Sequence, residues 1–316
     1  MDSSITPTRF PGISLVQTTD FFYPLVDDPY VQGRITCANV LSDLYAMGVA
    51  DCDNMLMLLG VARKMEPEVK DAVTTHFMRG FHDLAREAGT AVTGGQTVQS
   101  PWYMMGGVAS AVVSSSEIIM PTHAVAGDVL VLTKPLGTQL AVNAHQWLSM
   151  QATHPEKYAR VADFISPDEV EGAYETAILS MARLNQTGAR LMHKYDAHAA
   201  TDVTGFGILG HVRNLASNQE AEVSFMIHTL PVIKKMWQVD AKVSFRLSLG
   251  FSAETSGGLL IAMPRDKAKL FVQEIEDTDG WPAWIVGDVV EGNRTASLSD
   301  DLKVVDVDYR RLLDPE

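Results

Sequence analysis

Thr201-Asp202-Val203-Thr204-Gly205-Phe206-Gly207 sets a carboxylate just ahead of a glycine-rich turn, and an apolar, helix-like run (Phe206, Ile208, Leu209, Val212) follows. Glycines let a backbone approach a ligand closely, and the N–H groups at a helix start favour anionic oxygens. A carboxylate in that place repels phosphate unless a cation lies between them. The pattern therefore points to a metal–nucleotide site. The competing reading of Asp202 is a turn or cap residue, the commoner fate of an Asp near glycine.

Other carboxylates occupy equally unusual places. Asp43 falls in the last turn of an expected helix, where the macrodipole disfavours negative charge by about 0.3–1 kcal/mol. Asn39 lies one turn earlier on the same face, so the pair could offer two oxygens to a hard cation or form a solvated polar stripe. Asp20 follows an apolar strand-like run and reads as a site residue or as a turn initiator. Gly94-Gly95-Gln96-Thr97, after a short strand, could cradle phosphate with its backbone or simply turn the chain. Lys134 in Thr-Lys-Pro-Leu-Gly is a phosphate contact or an exposed charge. Magnesium takes one or two carboxylates plus substrate phosphates, so scattered aspartates suit a multi-metal ATP site. The nine histidines show no metal-ligand spacing, and His198 and His211 read as structural or as supports behind ligating residues. Cys37, among apolar helix residues, and Cys52, between Asp51 and Asp53, are poor nucleophiles. There is no Walker A or dinucleotide signature.

These residues need elements to hold them. Ile13–Thr19 reads as a strand ending at Asp20, and Val31, Ile35, Ala38, Leu41 and Leu44 recur at helical spacing over Tyr30–Met47, closed by Gly48. Met55–Val61 is strand-like, Pro67 opens a second helix closed by Gly89, and Thr90–Thr93 delivers the Gly94 loop before a strand over Tyr103–Val113. Pro121–Gly127 looks like a domain junction, dividing the chain into 1–120 and 121–316. Beyond it, the pattern predicts strands over Val129–Leu132, Val223–Ile227, Gly258–Met263 and Trp284–Val289. Helices are predicted over Thr138–Gln151, Asp168 to about His193, and Asp266–Glu276. The elements mix without a βαβ rhythm, which predicts two α+β domains rather than one doubly wound sheet. The segment after Gly292 carries little signal.

Composition closes off several functions. With 316 residues, 46% hydrophobic and 20% charged, the chain is globular. A net charge of −14 argues against binding nucleic acid or an anionic membrane in bulk. The uncharged run Ala88–Ser116 is interrupted by Gln96, Gln99, Pro101 and glycines, so it reads as strand–loop–strand rather than a membrane span. Two cysteines without CxxC spacing fit a reducing, cytoplasmic setting.

Taken together, the motifs are far more specific than any one alone. Gln17-Thr-Thr-Asp20, Ala38-Asn-Val-Leu-Ser-Asp-Leu-Tyr-Ala-Met-Gly48, Thr93-Gly-Gly-Gln-Thr97, Thr133-Lys-Pro-Leu-Gly-Thr-Gln139, His198 to His211 and Glu254-Thr-Ser-Gly-Gly-Leu-Leu260 occur in order along the chain. In these the chain resembles selenophosphate synthetases, in particular the eukaryotic type. The resemblance implies the two-domain α+β fold shared with aminoimidazole ribonucleotide synthetases, pairing as a homodimer through the N-terminal domain. It implies a reaction in which ATP, selenide and water give selenophosphate, AMP and orthophosphate, with Mg²⁺ and K⁺. Residue by residue, it makes Asp2, Asp43 and Asp202 metal ligands, and it makes Asp20 and Gly94, Gly95, Gln96 and Thr97 nucleotide-binding, with Asn39 beside them. The family's reactive cysteine or selenocysteine and its lysine stand upstream of the Met1-Asp2 motif. The resemblance therefore implies a truncated core with little or no turnover of its own, a non-catalytic regulatory paralogue being the alternative. A third reading is another ATP-using enzyme of the same superfamily, such as aminoimidazole ribonucleotide synthetase or thiamine-monophosphate kinase.

Overall fold

The computed structural model describes residues 1–310. The chain divides into two compact units, one of residues 1–119 with 182–193, the other of 120–181 with the chain from Lys194 onward.

The first unit is a sheet with two helices on one face. Strands β1 (Ser4–Pro7), β2 (Ile13–Phe22), β3 (Asn54–Ala62), β4 (Val92–Ser100) and β5 (Met104–Ser114) lie in the order β1-β2-β5-β3-β4, with β3 and β4 parallel and every other pair antiparallel. β2 alternates as a half-covered strand must, with Ser14, Val16 and Thr18 buried and Gln17, Thr19 and Phe21 exposed. Helix α1 (Pro29–Ala46) is started by the Asp28 carboxylate, which accepts from the Tyr30 and Val31 N–H groups, with Pro29 at the first helical position. Most of α1 is buried, including the polar Thr36, Asn39 and Ser42. Helix α2 (Pro67–Glu87) buries Phe77, Phe81 and Leu84. The two helices touch backbone to backbone. A Cβ on Gly80 would stand 1.9 Å from the Tyr30 carbonyl oxygen, and one on Gly33 2.1 Å from that of Phe77.

The helix predicted over 168–193 is two helices, α5 (Pro167–Ala182) and α6 (Gln186–Lys194), and most of α6 belongs to the first unit. The break is tertiary in origin. The Asn185 side chain is buried and donates to Ser42 Oγ at 3.0 Å, and Gln186 donates to the Ala50 and Ala88 carbonyls.

The second unit carries a six-stranded sheet of β6 (Val129–Leu132), β7 (Ala199–Asp202), β8 (Val223–Ile233), β9 (Leu259–Met263), β10 (Trp284–Glu291) and β11 (Ala296–Val307), ordered β11-β8-β10-β6-β9-β7. Every residue of β6, β7 and β9 is buried, so this end of the sheet is core. Besides α5, its helices are α3 (Thr138–Ser149), α4 (Pro155–Ala159), α7 (Gly207–Ser217), α8 (Met236–Val243) and α9 (Arg265–Asp279). Among the described residues, no helix is long and apolar enough to cross a membrane.

Candidate functional site

In the first unit the sequence places two polar rungs between β2 and α1. Residues 18 and 20 share a strand face, and residues 39 and 43 share a helix face. The Thr18 hydroxyl donates to the Asp43 carboxylate, and the Asn39 amide donates to that of Asp20. Strand and helix run past each other in opposite senses, so the lower strand position meets the upper helix position. Burial pushes the Asp20 carboxyl above its ordinary range, and the bonds from Asn39 and the Phe21 backbone pull it part of the way back. Asp20 sits within β2, paired with Gly107, rather than at the strand's end. Thr18 went unremarked in the sequence, although its alternation with Asp20 was a signal that could have found it.

The Gly94 segment corrects the sequence reading. It is not a loop but the middle of edge strand β4. Gly95 lies in one transverse row with Met57, Gly107 and Asp20, three strands from β2, or about 14 Å at ordinary strand spacing. A Cβ on Gly95 would fall 1.9 Å from the Met57 carbonyl oxygen, and its φ is +142°, so strand packing alone requires glycine there. Gln96 follows the row of Phe21 and faces away from Asp20. Asp2 is half-buried two residues ahead of Ser4, which pairs with Gln17 of β2.

In the second unit three of the sequence motifs interlock. Asp202 ends the buried strand β7 and is 2% exposed. The chain beyond it is tied to the 254–258 segment, Val203 N–H donating to the Gly258 carbonyl at 2.9 Å and Glu254 N–H to that of Thr204 at 3.0 Å. Glu254 in turn accepts from Gly137 N–H (2.7 Å), Thr138 N–H (2.9 Å) and the Thr138 hydroxyl, capping α3 from a distance in sequence. Burial raises its carboxyl to about 7 against those three bonds. Lys134 is not an exposed charge: it is 1% exposed and donates to the Ser256 carbonyl at 2.8 Å.

Among the described residues no three His, Cys, Asp or Glu side chains gather into a group able to hold a metal by themselves. The donor set still suits magnesium, which is content with one or two carboxylates when phosphate oxygens complete its shell. Asp43 offers carboxylate oxygens, and a cation nearby would offset the burial that disfavours the charged form of Asp20. Both cysteines are buried thiols: burial pushes Cys37 far up and raises Cys52, where the charge of Asp53 adds a smaller push.

Comparison with known proteins defines the class and then the family. Residues 5–113 match the N-terminal domain, and residues 125–299 the C-terminal domain, of AIR synthase related proteins. Thiamine-monophosphate kinase from Stenotrophomonas maltophilia shares the fold, with a TM-score of 0.69 at 20% identity over 92% of this chain and 87% of that one. So does hydrogenase maturation protein HypE in complex with ATP, with a TM-score of 0.65 at 14% identity over 90% and 81%. Selenide, water dikinase 2 of Homo sapiens is 59% identical over 97% of this chain and 68% of its own length. The selenide, water dikinase of Dictyostelium discoideum is 53% identical over 96% and 83%. The chain belongs to the selenide, water dikinases, a family of phosphotransferases.

Proposed function

We propose that the chain holds ATP through Mg²⁺ for the reaction in which ATP, selenide and water give selenophosphate, AMP and orthophosphate. The observation that carries the reading is the pair of rungs between β2 and α1, where two carboxylates of a half-buried face are each oriented by a neutral donor. Asp43, Asp2 and Asp202 are the proposed metal ligands. Asp20 and Asn39 are the proposed nucleotide contacts, with Gly94–Thr97 contributing backbone N–H groups along the free edge of β4. Bound Mg²⁺ would supply charge neutralisation to the triphosphate oxygens. The chain's own part is to hold oxygen donors in fixed positions before the ligand arrives, so that little reorganisation is left for the reaction.

The selenium-handling thiol or selenol is neither Cys37 nor Cys52, since both are buried with raised thiol pKa values. These 316 residues alone are accordingly expected to bind Mg–ATP and to turn over slowly. Phosphorus NMR with ATP, Mg²⁺, K⁺ and anaerobic selenide tests the assignment. Any turnover should give AMP with a selenophosphate resonance. ADP as the nucleotide product would overturn the reading in favour of a kinase of the same fold, and rapid selenide-dependent turnover would overturn the need for a further thiol or selenol.

The open face of the first unit's sheet is proposed to pair with a second copy of the chain. Phe21, Val98 and Val112 are 62%, 51% and 55% exposed on that face, beside the half-buried Leu56 and Leu58.

A further inference from the structure

The turn that follows Asp202 at the end of β7 is anchored on two sides. On one side the ladder to β9 and the 254–258 segment hold it. On the other the Thr204 N–H donates to Nε2 of His211 at 3.0 Å, and the Thr204 hydroxyl lies 3.2 Å from the same nitrogen. His211 stands one turn into α7 and is 7% exposed. A backbone N–H can only donate, so Nε2 must accept and the ring proton must sit on Nδ1. The ring also leans on Phe206, with centroids 5.4 Å apart. The Thr204 carbonyl receives both Glu254 N–H and Gly207 N–H, so Thr204 is fixed at both its backbone groups.

We infer that His211 is a positioning residue for the metal–nucleotide site: its Nε2 acceptor fixes the Thr204 backbone and so the turn that presents Asp202. The inference rests on the reading of Asp202 as a metal ligand. Three substitutions separate an acceptor at Nε2 from mere bulk. His211→Gln can place an oxygen near the Nε2 position, His211→Asn places one near Nδ1, and His211→Leu places none.

The test is ATP affinity with and without Mg²⁺, by calorimetry on the full chain, together with hydrogen exchange of the peptide containing Thr204. His211→Gln should keep wild-type affinity and protection. His211→Asn and His211→Leu should lose protection at Thr204 and weaken Mg²⁺-dependent ATP binding by about tenfold, as for a buried donor left without its acceptor. If His211→Leu does not fold, the Asn and Gln variants still make the comparison. Equal behaviour of Asn and Gln, or wild-type affinity in every His211 variant while Asp202→Asn weakens binding, overturns the inference alone. Unchanged affinity in Asp202→Asn overturns the reading beneath it as well.

Discussion

The Asp43 carboxylate works against its own helix. It lies in the last turn of α1, where no basic residue answers the negative end of the dipole, and Thr18 supplies it with a hydrogen bond. A group kept at a cost to folding and oriented by a dedicated donor is suited to ligand binding. Asp43→Asn should therefore raise the stability of the ligand-free chain by about 0.5–1 kcal/mol. The same change should weaken Mg²⁺-dependent ATP binding about tenfold or more, the order of one contact to a charged group. Urea melts and calorimetry read the two effects separately, and lower stability with unchanged affinity would make Asp43 structural. His211 gives a second prediction at this scale. Burial holds its pKa near 4 against an ordinary 6.5, so the folded chain excludes a proton that the unfolded chain accepts. The stability this contributes is present above pH 6.5 and is lost as pH falls from 6.5 towards 4. In total it is about 3 kcal/mol. Wild type minus His211→Gln, from urea melts at pH 7.5 and pH 5, should show that decline, and parallel pH profiles would refute it.

At the scale of elements, the first unit depends on the close crossing of α1 and α2. Gly80→Ala puts a methyl 1.9 Å from the Tyr30 carbonyl oxygen, which a rigid helix backbone cannot give way to. It should destabilise the chain by at least the ~1–3 kcal/mol usual for overpacking and, by shifting α1, loosen the rungs to β2. A fall in melting temperature with weakened ATP binding checks this; an unchanged melt would show that the helices slide apart freely. The helices were legible because α1 carries apolar spacing between a Pro start and a Gly stop, signals that act locally. Edge strand β4 was legible only at its start, because its glycines and exposed polar residues from Gly94 on read as a loop, and only pairing with β3 makes them a strand. β11 was missed for a similar reason: Ser299-Asp300-Asp301 and Lys303 mark an exposed edge rather than a core strand. The aspartates of the site could be found singly, as carboxylates in unfavourable places. What Thr18 and His211 bond to was not legible, since strand-to-helix register and the return of α7 onto its own leading turn are tertiary facts.

For the whole molecule, the sheet of the first unit sets the question of assembly. α1 and α2 cover one face, and the other presents Phe21 and Val98 to solvent at a hollow of about 200 Å³ lined also with Leu58, Gln96 and Met104, with Val112 exposed further along the same face. An apolar patch of that kind marks an interaction surface more often than an idle one. The occupant proposed is a second copy. The chain's net charge of −14 opposes self-association, so apolar burial must supply the driving force and salt should strengthen the pairing by screening. Sedimentation at micromolar concentration is expected to give twice the 34.5 kDa chain mass. Phe21→Asp should reduce it to the single-chain mass, because a carboxylate on the central row would be buried unpaired. Phe21 points away from Asp20, so the rungs to α1 should survive the substitution, and any loss of ATP affinity in the monomer would then measure what the second copy adds to the site. A wild-type chain that sediments at 34.5 kDa at all salt concentrations would leave that face without a second copy and would place the whole nucleotide site within one chain.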